Sequence, residues 1–211
     1  VCRWGGGVRN STPVKEATAA SSPRLQMYGA WWSSAEPDVL PAEMAAKGFN
    51  GITLGHSAEK GLPVQLDVVK HLYDKGKGTA KSKDDVGTVL YNRGMISAML
   101  SVEAIRKAQS KYGKRVVTGE EVRWGAENLN IDAARIKALG FGDIVQPVKT
   151  SCDDHEGARR GRIHTWDGKE WSYTSDWYTA DMKFLRPLIA ASAKAYAAEK
   201  KITPRDCAKE K

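Results

Sequence analysis

The residues best placed to act on another molecule begin with a glycine run, Trp4-Gly-Gly-Gly-Val-Arg-Asn10, that leads from a strand-like start into a helix. A strand that ends in glycines and feeds a helix presents bare backbone N–H groups and the positive helix end, which suits a carboxylate or a phosphate. A dinucleotide fingerprint is excluded, because Gly5 and Gly7 fit its first two positions but Asn10 stands where the third glycine belongs, and no P-loop Lys-Ser/Thr follows. The competing reading is a tight turn with no ligand. Trp31-Trp-Ser-Ser-Ala-Glu36 follows a second strand at the same end of the sheet, where open α/β sheets gather ligands. Trp31, Trp32 and Glu36 are therefore candidates to stack on and orient a solute. In an extended segment neighbouring side chains face opposite ways, so one of the two tryptophans lines a cleft and the other packs.

Other polar clusters carry less. Asp153-Asp-His-Glu156 contains metal-ligand and acid–base residue types, but four consecutive polar groups ahead of Gly157 read as a solvated turn. His56, His71 and His164 make no His-Glu-x-x-His pattern, and neither Gly-x-Ser-x-Gly nor a Cys-His signature is present. The sequence thus predicts a protein that is not an enzyme and uses no cofactor or metal. The basic runs Lys75–Lys83 and Arg159-Arg-Gly-Arg162 could meet phosphates. They lack interleaved aromatics, so they read as solvated surface and nucleic acid is not the expected partner, with a basic nucleic-acid-binding fragment as a less favoured alternative reading.

The elements that position these residues alternate. Thr12 reads as a helix cap with Pro13 at the first helical position, and the helix continues from Val14 to Ala20. Tyr28–Trp32 reads as a strand, Pro37 or Pro41 starts a short helix that Gly48 closes, and Gly51–Gly55 reads as a third strand. This βαβαβ rhythm favours a parallel sheet covered by helices. Val64–Leu72 and then Val86–Ile105 repeat apolar residues at helical spacing, with Arg93, Arg106 and Lys107 on the wet side. Thr118 with Glu121 makes a capping box, Ile131–Leu139 adds a short helix, and Ile144–Lys149 looks extended. Arg162–Trp166 and Glu170–Tyr173 flank Asp167-Gly-Lys169, a hairpin signal. A last helix is expected to start near Pro187 and to bury Leu188, Ile189, Ala193, Tyr196 and Ala197.

The 211 residues carry 33 basic against 25 acidic side chains, a net charge of +8, and are 41% hydrophobic with 8% aromatic. That composition belongs to a globular chain with a real core and not to a disordered one. No apolar run approaches the roughly 20 residues of a spanning helix, and Val1-Cys-Arg-Trp4 shows no signal segment. A chain starting at Val1, inside what reads as a strand ending, suggests a piece of something longer. Cys2, Cys152 and Cys207 have no metal-binding spacing, and three thiols do not fix a connectivity. One option in an oxidising compartment is a Cys152–Cys207 bond, which would hold down the polar tail after Pro204.

Taken together, several blocks resemble the solute-binding proteins of ABC importers, in the branched-chain amino acid (Leu/Ile/Val-binding) group. The resemblance rests on Trp4 to Ala17, on Gly29-Ala-Trp-Trp-Ser-Ser-Ala-Glu-Pro-Asp38, on Tyr91-Asn-Arg-Gly94 with Glu103-Ala-Ile105, on Asp154-His-Glu-Gly157 with Trp166-Asp-Gly-Lys-Glu-Trp171, and on Tyr196-Ala-Ala-Glu199 with Pro204-Arg-Asp-Cys207. It implies a type I periplasmic-binding-protein fold, α/β, with two lobes of parallel sheet flanked by helices. Residues 1–50 would belong to the second lobe, 51–145 to the returning part of the first, and 146–211 to a return to the second. The family's N-terminal half has no counterpart, so the first lobe would be incomplete. The resemblance further implies a periplasmic location from a signal-bearing precursor, a small organic solute in the interlobe cleft, and an ABC permease as partner, with a ligand-sensing receptor domain of the same fold as the alternative. Contact positions carry over to Gly6 or Gly7, to Trp31 and to Tyr91. Glycine and tryptophan stand where the family often has an aromatic and an acid, which suggests a flat or aromatic solute stacked on Trp31.

Overall fold

The computed structural model describes residues 2–20, 25–55 and 58–209, so His56 lies outside the described residues. In chain order the elements are β1 (Cys2–Arg3), α1 (Val8–Ala20), β2 (Tyr28–Gly29), α2 (Glu36–Val39), β3 (Asn50–Thr53), α3 (Pro63–His71), α4 (Val89–Tyr112), α5 (Gly119–Ala126), β4 (Asn130–Ile131), α6 (Ala133–Ala138), β5 (Val148–Lys149), β6 (Arg160–Trp166), β7 (Trp171–Tyr173), β8 (Tyr178–Thr179) and α7 (Met182–Glu199). β1, β2 and β3 pair in parallel, as the βαβαβ rhythm requires, and β6 then adds antiparallel to β3 with β7 and β8 on its far side. The result is a mixed α/β fold whose parallel strands are flanked by helices. β4 and β5 form a separate antiparallel pair.

Two apolar cores organise these elements. The first joins Val14, Met27, Val39, Phe49 and Val89 to Trp166 and Trp171, and the second joins Met99, Ala104, Leu129, Ile131, Ile136, Phe141 and Ile144. Helix α4 serves both, with Val89 in the first and Met99 and Ala104 in the second. At 1.5 Å rise per residue it is a rigid rod of about 36 Å between them. The hairpin forms where Asp167-Gly168 predicts it: Asp167 Oδ1 accepts from Lys169 N and Glu170 N, and Gly168 takes φ of 110°, open to glycine at no cost. The Thr118–Glu121 capping box is present at the start of α5.

Several boundaries differ from the sequence reading, each for a physical reason. α1 begins at Val8, ahead of Thr12, and takes Pro13 inside it. A proline cannot donate to the carbonyl four residues back. That carbonyl, on Arg9, instead accepts from Arg3 Nη2 at 2.9 Å, so the lost bond is replaced from the neighbouring strand. Similarly, α7 starts at Met182 because Asp181 caps it through Lys183 N and Phe184 N, with Pro187 inside the helix. β2 ends at Gly29, and Trp31–Ser33 turn back in a 3-10 turn instead of continuing the strand. Any Cβ on Gly29 would collide with the Ser33 carbonyl, so the turn needs glycine there. Extended structure in 144–149 is confined to Val148–Lys149, and Ile144 closes a 3-10 turn.

The largest departure concerns α7. None of its residues is buried: Leu188 is 54%, Ile189 41%, Tyr196 57% and Phe184 66% exposed. Its apolar stripe follows the helical period, yet it buries none of its side chains.

Candidate functional site

Parallel pairing of β1 and β2 brings both candidate loops to the carboxyl end of the sheet. There the 4–7 loop leans on the 31–36 turn. Ser33 Oγ accepts from Gly5 N and donates to Gly5 O, both at 2.7 Å. The carboxyl group of Asp38, buried at 2% exposure, takes the place at the helix start that an anion would fill. Its Oδ1 accepts from Gly7 N at 2.7 Å and from Asn10 Nδ2 at 2.9 Å, and its Oδ2 from Ala35 N at 2.9 Å. The expected anion-holding role of the Gly5 and Gly7 N–H groups is thus taken by the protein's own Ser33 and Asp38. Asn10, which broke the dinucleotide pattern, is the side chain that ties loop to turn, since its Nδ2 also donates to Gly5 O. Gly6 remains exposed, while Trp4, 78% exposed, stands off the loop.

Trp31 is the candidate that reaches a cavity. A space of about 260 Å³ is walled by Trp31, by Leu54 beyond β3, by Ile96 and Leu100 of α4, by Ile144 to Gln146 with Val148, and by His155 to Arg160. Its apolar lining, Ile96, Leu100, Ile144, Val145 and Val148, belongs to or packs against the second core, and ionisable groups at His155, Glu156, Arg159 and Arg160 complete it. Trp32 is 59% exposed and meets Trp31 edge to face, centroids 6.1 Å apart. The two rings differ in exposure as expected, although a 3-10 turn and not strand alternation separates them.

Behind Trp31 stands Arg93, placed on the wet side in the sequence reading. It is half-buried: its guanidinium carbon lies 4.5 Å from the Trp31 ring centroid and Nη2 donates to Trp31 O at 2.6 Å. Burial lowers its pKa, opposed by Asp38 and Glu36 nearby. Glu36 does not face the cavity wall. Both its oxygens sit 3.1 Å from Val89 N at the start of α4, and burial pushes its carboxyl pKa up. Tyr91 packs against Tyr73 at 6.5 Å between centroids, and desolvation with a hydrogen bond to Tyr73 pushes its phenol up to about 12. The structure therefore unites Trp31, Trp32, Glu36 and the glycine loop around one turn and sets Tyr91 apart from the cavity wall.

The turn 153–156, read as solvated, is tied into the molecule. Arg159 ion-pairs with Asp154 and with Glu156, and Arg186 of α7 reaches Asp154 at 3.1 Å. Cys152 and Cys207 are disulfide-bonded, with Cα atoms 5.7 Å apart, and Cys2 is a free, exposed thiol. Among the described residues no helix is long and apolar enough to cross a membrane. Sequence reasoning missed Ser33, Asp38, Arg93 and the 155–160 wall. Each lies in or beside a block that carried the resemblance, Ser33 and Asp38 in Gly29 to Asp38, Arg93 in Tyr91 to Gly94 and His155 in Asp154 to Gly157, but none was singled out as a site residue.

Solved structures place this architecture. The chain is 41% identical, over 96% of its length and 48% of the other chain, to a protein described as an ABC transporter permease from the Pseudomonas fluorescens group, with a TM-score of 0.85. A branched-chain amino acid ABC transporter from Thermus thermophilus with bound valine matches in fold at a TM-score of 0.65 and 20% identity, over 86% of this chain and 46% of that one. A solute-binding protein of an ABC transporter from Rhodopseudomonas palustris in complex with p-hydroxybenzoic acid matches in fold at 0.55 and 14% identity, over 85% and 45%. No protein-family model matches the chain, and no curated protein matches it. The fold is that of type I periplasmic binding proteins of ABC transporters, the Leu/Ile/Val-binding proteins among them. The chain spans about half the length of these relatives.

Proposed function

We propose that this chain is part of an extracytoplasmic solute-binding component of an ABC importer, which captures a small organic solute in an interlobe cleft and delivers it to a membrane permease. The observation that carries the reading is the 41% identity and 0.85 TM-score to an ABC transporter protein, sustained over 96% of this chain. The two cores broadly follow a division into lobes, with 1–50 and 146–211 in one and 51–145 in the other, although β3 pairs into the sheet of the first core, β5 pairs with β4 beside the second, and α4 contributes to both. No bond is made or broken in this mechanism. Hinge closure over a bound solute would exclude water, and release would follow from reopening.

The cavity favours an aromatic carboxylate over a leucine-like side chain. Trp31 offers a flat apolar wall for a ring, and His155 and Arg160 offer donors for an acid group, while Arg159 beside them is engaged by Asp154 and Glu156. Because the Gly5 and Gly7 N–H groups are occupied, the carboxylate contact moves from the glycine loop to this basic rim. The valine and p-hydroxybenzoic acid bound to fold relatives define the two solute classes to compare. The test uses the full-length protein from its source, first weighed intact, then titrated calorimetrically with 4-hydroxybenzoate, benzoate, valine and leucine. Binding of an aromatic acid, lost in Trp31→Ala with an unchanged melt, is expected. Absence of binding by every compound, or undiminished binding in Trp31→Ala, overturns the reading.

A further inference from the structure

The cavity wall at 155–160 begins three residues after a cross-link that ties it to the far end of the chain. Cys152 sits in a turn closed by Ser151 N to Asp154 O at 2.8 Å, and its partner Cys207 lies in the tail beyond α7. Two residues before Cys207, Arg205 makes a two-pronged bond to Glu127, Nη1 to Oε1 at 2.7 Å and Nη2 to Oε2 at 3.0 Å. Glu127 is buried at 8% exposure beyond the C-terminus of α5 and gathers two further partners. Arg123 reaches it at 3.2 Å, and His155, itself part of the cavity wall, lies 3.6 Å away through Nε2. The other end of α7 is fastened to the same wall. β8 pairs with β6 at Arg160 and Gly161, Ala180 N donates to Arg159 O at 3.0 Å, and Arg186 holds Asp154. A helix with no buried residue is thus anchored at both ends on 152–160, covalently at one of them.

We propose that Arg205 and Cys207, which do not line the cavity, are positioning residues for it, and that the disulfide makes the cavity wall responsive to reduction. This inference rests on reading that cavity as the solute site. With the cross-link intact, the tail holds the turn at Cys152 and presents Glu127 to His155. A dithiol reductant opens it by exchange: one thiolate attacks a sulfur of the Cys152–Cys207 bond, and the second displaces the resulting mixed disulfide. The reductant leaves as a cyclic disulfide, and the two cysteines take up two electrons and two protons. The tail is then held chiefly through the Arg205–Glu127 ion pair, partly open to water, and the 155–160 wall loosens.

The test is hydrogen exchange on the full-length protein, oxidised, reduced with dithiothreitol, and as Cys207→Ser and Arg205→Gln, together with calorimetric titration of 4-hydroxybenzoate. Exchange at 155–160 is expected to rise about tenfold on reduction and in Cys207→Ser, and less in Arg205→Gln, with the β1–β3 amides unchanged. Affinity for 4-hydroxybenzoate should fall about threefold or more in parallel. Unchanged exchange at 155–160 overturns the proposal, as does an equal rise across β1–β3, which would mean global loosening and not a local clamp. Failure of 4-hydroxybenzoate to bind the oxidised protein counts against the solute reading alone, and exchange still decides the clamp.

Discussion

Arg93 lies over the ring of Trp31, 4.5 Å from its centroid, and bonds the carbonyl of the same residue at 2.6 Å. One side chain on α4 thereby fixes both the backbone and the ring of the residue that walls the cavity. A stacked cation contributes about 1 to 2 kcal/mol when partly desolvated, and a charged hydrogen bond about as much again. Arg93→Ala should therefore cost about 2 to 3 kcal/mol in urea unfolding and weaken an aromatic probe more than an aliphatic one. Arg93→Lys should recover part of the stability, since a lysine keeps the charge but not the planar fork. Equal losses for both probe types would show that Arg93 supports the fold without orienting Trp31.

Asp38 offers a sharper stability test. Its carboxyl oxygens accept from Gly7 N, Asn10 Nδ2 and Ala35 N in a buried setting. Asp38→Ala removes the acceptor of Gly7 N and Ala35 N and leaves Asn10 Nδ2 with Gly5 O alone, at about 1 kcal/mol or more for each bond lost. For a chain of this size a loss of about 3 kcal/mol lowers the melting temperature by roughly 6 to 12 °C. Thermal melts of Asp38→Ala and Asn10→Ala check this, with Asn10→Ala expected to lose less because Gly7 and Ala35 keep their acceptor. A shift below about 2 °C for Asp38→Ala would mean that water replaces the carboxyl group.

The sequence carried the parallel strands and the hairpin because those follow from local chemistry: glycines that end strands, Asp-Gly at a tight turn, Thr and Glu three apart. It misplaced the starts of α1 and α7, since proline normally marks a first turn and only a distant partner, Arg3 for the Arg9 carbonyl, makes Pro13 tolerable inside a helix. The site was half legible. Trp31 was found because aromatic residues after a strand are conspicuous. Asp38 was not, because its role depends on β1 and β2 pairing side by side, which no spacing along the chain encodes. The buried face assigned to α7 failed for a related reason: a helical period predicts an apolar stripe but not what covers it.

Acid and neutral pH should act on different carboxylates. Arg115 bonded to Glu121 holds that carboxyl down to about 2, and the bonds from Arg135 to Glu103 and from Arg205 to Glu127 hold those two below the ordinary 4.5. Their unfolded forms bind protons first, so their contribution is present above 4.5 and is lost as pH falls through the folded values. Burial raises Glu36 and Glu59 instead. Their contribution is full below 4.5 and lost as pH rises through their raised values. Melting temperatures measured from pH 7 to pH 3 should therefore rise slightly on first acidification and then fall. Glu36→Gln should flatten the first limb and leave the second. A monotonic rise down to pH 3 would contradict the assignment.

The disulfide encloses a loop with a sequence separation of 55. Chain-entropy arguments give such a closure about 4 kcal/mol, through restriction of the unfolded chain. Reduced protein, or Cys152→Ser with Cys207→Ser, should unfold at a clearly lower urea midpoint with a larger slope, as the unfolded state expands. A midpoint unchanged within error would mean that reduction leaves the unfolded ensemble as compact as before.

The exposed stripe of α7 predicts the behaviour of the 211-residue chain by itself. Phe184, Leu188 and Tyr196 are each more than half exposed, and Met182, Leu185 and Ile189 of the same helix line a groove of about 570 Å³ beside β6 and β8. Bare apolar surface of this kind drives association. Light scattering on the isolated chain should show oligomers at micromolar concentration, and Leu188→Glu with Ile189→Lys should return it to a monomer. These two side chains lie outside both cores, so the double variant should melt within about 0.5 kcal/mol of the parent. A monodisperse monomer for the unmodified chain would mean that this stripe is too dispersed to act as a surface.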